Sequence, residues 1–287
     1  MNFDPVRIRT VAQILHDAAQ AIVLPRFRDL SAGDIRHKSS HLDLVTDADV
    51  AAEAQITAQL RAAFPGAVVV GEEAAAENPA VLDGLGAADL AFIVDPIDGT
   101  KNFASGLPLF ALMVAVVARG KAIAGVIYDP IVGDFAAGLC GEGAWVERAD
   151  GRQTPLKVGP PRPVAEMLGI VSWMFMPEPM RSTVTANLAR VAGAADYRTA
   201  AHEYRLLAGG HYDFALFRKL MPWDHLAGVL IHREAGGHGA CLDGTPYTLA
   251  NHATAEGLLC APDEASWWDL RTALLGNTGL AETRRPG

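Results

Sequence analysis

The sequence has little cysteine: three residues in 287, with no C-x-x-C pair. An odd, scattered count excludes a disulfide framework and a structural zinc site, and it suits a reducing compartment. Runs of lysine or arginine are also missing, and the formal net charge is -9. A surface that grips a nucleic-acid backbone needs clustered cations, so no nucleic-acid partner is expected. The longest apolar stretches, such as Leu107 to Ala118, fall short of the ~20 residues a membrane helix needs. The segment from Met1 to Arg9 has no apolar run of signal-peptide type. These absences predict a cytoplasmic protein with no membrane partner. The nine histidines include no H-E-x-x-H, which argues against a zinc hydrolase. Ser39 and Ser40 lack the G-x-S-x-G setting of a serine nucleophile.

What is present is apolar and regularly patterned. Half of the residues are hydrophobic, enough for a large core in one domain or two intimate lobes. Val11, Leu15, Ala18 and Ile22 recur at helical spacing within Val6 to Phe27. Ile35 to Val45 alternates and predicts a hairpin turning near Lys38-Ser39-Ser40. Thr46-Asp47-Ala48-Asp49 opens a second helix that Pro65-Gly66 ends. Apolar strands are expected at Ala67 to Val70 and at Leu90 to Val94, the latter running into Asp95. Four more follow at Ala111 to Ala118, Ala122 to Tyr128, Asp134 to Leu139 and Gly143 to Val146. Gly159 to Pro163 marks a lobe boundary. Beyond it come strands at Leu168 to Trp173, Phe214 to Phe217 and Gly257 to Cys260. Helices are expected at Met180 to Val191, Thr199 to Ala208, Trp223 to Ala235 and Glu264 to Leu275. The class is α/β or α+β with layered sheets. An N-terminal lobe is expected over 1–158, a C-terminal lobe over 159–280, and a disordered tail over 281–287.

Chemistry concentrates in Asp95-Pro96-Ile97-Asp98-Gly99-Thr100. Pro and Gly predict a sharp turn where the chain leaves a buried strand. Asp95 and Asp98, three apart in such a turn, can serve adjacent hard cations, with the Ile97 carbonyl as a further oxygen ligand. Carboxylate and carbonyl oxygens suit Mg²⁺. The amides of Gly99 and Thr100 then form a small anion nest. Metals beside a phosphate nest are the parts that phosphoryl transfer to water requires.

This motif, with four others in order, resembles the inositol monophosphatase family of Mg²⁺-dependent, lithium-sensitive phosphatases. The others are Lys38 to Asp49, Gly71-Glu72-Glu73, Pro222-Trp223-Asp224 and Glu234-Ala235-Gly236-Gly237. The resemblance implies a layered αβαβα sandwich of the sugar-phosphatase type, commonly a homodimer. It implies two or three Mg²⁺ per site. Glu72, Asp95 and the Ile97 carbonyl would hold the first, Asp95, Asp98 and Asp224 the second, and Glu72 a looser third through water. Asp49 and Thr100 would orient and activate the attacking water, and the Gly99 and Thr100 amides would bind phosphate. The substrate is a small phosphate monoester, inositol monophosphate by default. Alternatives are histidinol phosphate, fructose 1,6-bisphosphate and 3′-phosphoadenosine 5′-phosphate. A different class is a regulatory protein in transcription or ribosome assembly.

Local roles are open for several of these residues. Asp49 fits a capping box with Thr46. Asp224 suits a helix N-terminus, and Glu72-Glu73 a solvated strand end. The substrate-facing half departs from the family pattern. Arg198 stands where a small residue usually opens the segment Thr199-Ala200-Ala201. Phe217 stands where the family tends to place a hydroxyl-binding acid, and His202-Glu203-Tyr204-Arg205 is atypical. Arg198 and Glu203 are therefore candidate substrate contacts, pointing to a substrate with an additional anionic group. The alternative is that the two pair with each other structurally.

Overall fold

The computed structural model describes residues 3–37 and 44–276. The expected turn at Lys38-Ser39-Ser40 and the tail 281–287 lie outside the described residues. Helix α1 (Pro5–Ala18) starts where Asp4 accepts the Arg7 N–H at 2.9 Å and Pro5 takes the first helical position. It passes through a π-turn, Ala19–Val23, into α2 (Leu24–Arg26). The π-turn lies just before Pro25, which lacks the N–H that a continuous α-helical ladder requires. Strands β1 (Ile35–His37) and β2 (Leu44–Thr46) pair antiparallel and lead into α3 (Asp47–Ala63).

A seven-stranded sheet follows. Its strands are β3 (Val68–Gly71), β4 (Ala91–Asp98), β5 (Ala111–Ala118), β6 (Lys121–Asp129), β7 (Asp134–Leu139), β8 (Gly143–Glu147) and β9 (Gln153–Pro155), in that spatial order. Only β3 and β4 are parallel to each other. Helix α4 (Glu72–Glu77) leaves the end of β3, and α5 (Thr100–Ala104) leaves the end of β4. A five-stranded sheet comprises β10 (Leu168–Val171), β11 (Gly193–Ala195), β12 (Phe214–Phe217), β13 (His238–Cys241) and β14 (Leu258–Ala261), in the order β11-β10-β12-β14-β13. Its helices are α6 (Met180–Asn187), α7 (Ala200–Ala208), α8 (Pro222–Glu234) and α9 (Glu264–Leu275).

Side-chain alternation on the strands stacks these elements into five layers. Ile8 and Leu15 of α1 and Ile56 and Leu60 of α3 cover Phe92, Val94, Leu112 and Val114 on one face of the large sheet. The opposite face, with Ile93, Met113 and Ile127, packs on Tyr204 and Leu207 of α7 and on Leu226 and Ile231 of α8. Those helices also meet Ile170, Ala215 and Leu258 of the small sheet. Its outer face packs on Val184 of α6 and on Trp267 and Leu270 of α9. The order α, β, α, β, α is the expected sandwich. Central strands buried on both faces read as continuous apolar runs, as in β5.

The middle layer is held at backbone distance. A Cβ on Gly125 of β6 would lie 2.6 Å from the Ala227 carbonyl of α8, and one on Gly228 would lie 1.9 Å from the Tyr204 ring. That ring is fully buried, and its hydroxyl is held by His225 Nδ1 at 2.9 Å. Gly228→Ala therefore overpacks a site that cannot yield. The expected loss is about 2 kcal/mol, against a helix-propensity gain of about 1 kcal/mol. Thermal melting checks it: an unchanged or higher midpoint would refute the tight seat.

Candidate metal centre and substrate cleft

Asp95 to Asp98 lie inside β4, and Gly99 and Thr100 lie just beyond its end. Asp95 pairs with Met113 and Asp98 with Ala111, so three steps on β4 oppose two on β5. One extra residue makes a bulge at the strand end, which re-aims both aspartates. The sharp turn falls where the chain leaves the sheet, at Gly99, whose φ of 88° a side chain would resist. Asp95 Oδ1 accepts the Ile97 N–H at 3.1 Å, which fixes its rotamer.

Carboxylates converge on this bulge from three elements. Glu72 is the first residue of α4, Asp95 belongs to β4, and Asp224 lies in the first turn of α8. One oxygen from each lies within 4.8 Å of the others. Burial, and then the charges of Glu72, Asp98, Asp224 and Asp49, push the Asp95 carboxyl well above the usual carboxylate range. Asp224 is pushed up by burial and then by Glu72 and Asp98, with Lys219 opposing. Such a group of acids is unfavourable unless cations or protons neutralise it. The all-oxygen donor set fits a hard divalent cation such as Mg²⁺.

Asp98 faces another way. Its Oδ2 accepts from the Thr199 hydroxyl and, at 2.8 Å, from the Ala201 N–H, while Oδ1 accepts the Ala200 N–H at 3.1 Å. It thus caps α7 from 101 residues away in sequence. Burial raises its pKa to about 6, although these three hydrogen bonds pull it down. One lone-pair position on Oδ1 remains for a cation.

Asp49 serves two purposes at once. Thr46 donates its N–H and its hydroxyl to Asp49 Oδ2, completing the capping box of α3. Asp49 Oδ1 accepts from Thr100 Oγ1 at 3.1 Å, and the same hydroxyl lies 3.0 Å from the Ile97 carbonyl. Glu53, one turn further along α3, is a site residue that sequence reasoning missed. Its carboxylate accepts the N–H groups of Glu73 and Ala74 at 2.7 and 2.9 Å, anchoring the start of α4 and therefore Glu72. A Cβ on Gly71 would meet this carboxylate at 2.2 Å. The available signal was two acids four apart on one helix face, both buried.

Glu72, Asp95, Asp98, Gly99, Thr100, Arg198, Glu203 and Asp224 share one cleft of about 140 Å³. Arg198 and Glu203 form no ion pair with each other among the described residues. Glu203 is buried and accepts the Tyr197 N–H at 3.0 Å. Burial, then Asp196 and Asp98, push its carboxyl well up.

The family model of the inositol monophosphatase family matches residues 4–275. The chain belongs to the inositol monophosphatase family. An inositol-1-monophosphatase of Bacillus subtilis (strain 168) is 30% identical over 227 residues, covering 78% of this chain and 82% of its own. A Nus factor SuhB of Haemophilus influenzae is 33% identical over 199 residues, covering 68% of this chain and 70% of its own. The extragenic suppressor protein suhB of Bartonella henselae has a solved structure with a TM-score of 0.77 and 27% identity, covering 94% of this chain and 98% of that one. Family membership, the layered fold and the Glu72, Asp95, Asp224 cluster agree on a hydrolase centre built for a divalent metal. No helix among the described residues is long and apolar enough to cross a membrane.

Proposed function

We propose that the protein is a Mg²⁺-dependent phosphatase that hydrolyses a small phosphate monoester by direct attack of water. The observation that carries this reading is the convergence of Glu72, Asp95 and Asp224 beside the Asp49–Thr100 pair. Glu72, Asp95, Asp224 and the Ile97 carbonyl would hold two or three Mg²⁺, with the remaining lone pair of Asp98 contributing. Bound there, the ions supply charge against the phosphate and polarise a water molecule.

The chain's own groups then have defined tasks. Asp49 Oδ2 accepts twice from Thr46, and its Oδ1 faces the Thr100 hydroxyl. Thr100 Oγ1 can take a proton from water while passing its own to Asp49 Oδ1. The Gly99 and Thr100 amides bind the phosphate oxygens. No covalent enzyme intermediate is required.

The test is phosphate release by the pure, metal-stripped protein over a panel of monoesters that starts with inositol 1-phosphate. Turnover is expected with Mg²⁺, none with chelator, and inhibition by millimolar lithium. A folded protein that releases no phosphate from any ester in Mg²⁺ would sink this reading. It would favour instead the non-enzymatic, regulatory role suggested by the relative named Nus factor SuhB. Retention of all three clustered carboxylates supports the enzyme.

A further inference from the structure

Beyond the carboxylates, the cleft contains a cation whose side chain makes no hydrogen bond or ion pair among the described residues. Arg198 lines it together with Asp196, Thr199 and Phe217. The Arg198 Nε is buried without a hydrogen-bond partner, and among the described residues the guanidinium forms no ion pair. A buried donor left unsatisfied is costly, and a charged one more so.

The acids nearest to it make no hydrogen bond to its guanidinium, although Asp196 feels its charge. Asp196 turns Oδ1 back onto the Arg198 backbone N–H at 3.0 Å, and its Oδ2 is buried and unpartnered. Glu203 directs its carboxylate to the backbone of Tyr197. Asp98 is committed to the start of α7. Arg198 also has a φ of 58°, in the left-handed region that glycine takes freely and a long side chain resists. Arg28 and Arg119 share that backbone region, so the unsatisfied Nε facing the cleft is the feature that a bound anion would account for.

The rest of the wall agrees. Phe217 is buried, with its ring 5.3 Å from that of Tyr204 and 4.8 Å from that of His225. It offers apolar surface and nothing for a hydroxyl to bond. Lys101 and Lys219 add further positive charge to the lining.

We propose that Arg198 forms a subsite for a second anionic group, a carboxylate or a phosphate, on the leaving portion of the substrate. The substrate class is then a phosphate monoester carrying such a group, not a neutral polyol phosphate. A planar guanidinium grips either oxyanion through paired N–H bonds. This inference rests on the phosphatase reading above.

Two matched substrate pairs test it with the Mg²⁺-loaded enzyme. Glycerol 3-phosphate against 3-phosphoglycerate probes a carboxylate; fructose 1-phosphate against fructose 1,6-bisphosphate probes a phosphate. At least one anionic member should exceed its neutral partner by about tenfold or more in kcat/KM, mostly through KM. Arg198→Gly, which suits the left-handed backbone, should bring that ratio to within about threefold of unity, and Arg198→Lys should leave an intermediate ratio. A wild-type preference for both neutral partners, or a ratio that Arg198→Gly does not move, overturns the subsite while leaving the phosphatase reading intact. Absence of turnover on all four esters and on inositol 1-phosphate overturns the phosphatase reading, and the subsite with it.

Discussion

Asp95→Asn should lower kcat by about 10³-fold or more, at least the loss typical of deleting one preorganised electrostatic partner. Asn keeps the shape of Asp and can still accept the Ile97 N–H through its Oδ1, so the bulge should persist. What disappears is the charge at the centre of the cluster. In chelator, that loss relieves repulsion from Glu72, Asp98, Asp224 and Asp49. The variant should therefore melt at the same temperature as the wild type or higher. With Mg²⁺ at 100 times Kd, the wild type should gain on the order of 5 °C, and the variant far less. Steady-state phosphate release and melting curves with and without Mg²⁺ check both parts. Retained turnover would refute the role given to Asp95, and a collapsed melt would show that its carboxylate is needed for folding.

The second large effect is a pH dependence that the metal should reverse. Asp95, Asp224 and Glu203 have carboxyls pushed well up in the fold, and Asp98 is raised to about 6. A group raised in the folded state contributes stability that is complete below its unfolded pKa, near 4, and is lost as pH rises through its folded pKa. For Asp98 alone, a rise from 3.8 to about 6 corresponds to roughly 3 kcal/mol. The metal-free protein should thus lose stability from these groups as pH rises above about 4, through about 6 for Asp98. Divalent cations compete with protons for the same oxygens. The Mg²⁺-induced increment in melting temperature should therefore grow from pH 5 to 8. An increment that is flat, or that shrinks with pH, would show that the cluster is not where the ion binds.

The chemistry was legible in the sequence because it is local. Asp95 to Thr100 is one strand end, and Glu72 and Asp224 each open a helix, so short motifs carry them. Interior elements were legible for a related reason: Phe214–Phe217 and Glu264–Leu275 fall where apolar runs and periodicity place them. The strands missed, β9, β11 and β13, all lie at sheet edges. β11 and β13 contain no β-branched residue, and β9 ends in Pro155, which only an edge tolerates. The site's long-range contacts left no local trace. Nothing near Asp98 announces that it caps a helix beginning at Ala200, and nothing near Arg198 announces its left-handed backbone.

The seat of α8 bears on how this centre keeps its geometry. Gly125 meets the carbonyl of Ala227, and Gly138 the Cα of Ile231, so the helix rests on main-chain atoms that every residue type shares. The depth at which Asp224 enters the cluster is then set by two glycines of the large sheet together with the buried side chains of α8. A side chain at Gly125 or Gly138 would push α8, and Asp224 with it, away from the cluster. Two residues without side chains, on strands that supply none of the clustered carboxylates, thereby govern where one of those carboxylates stands.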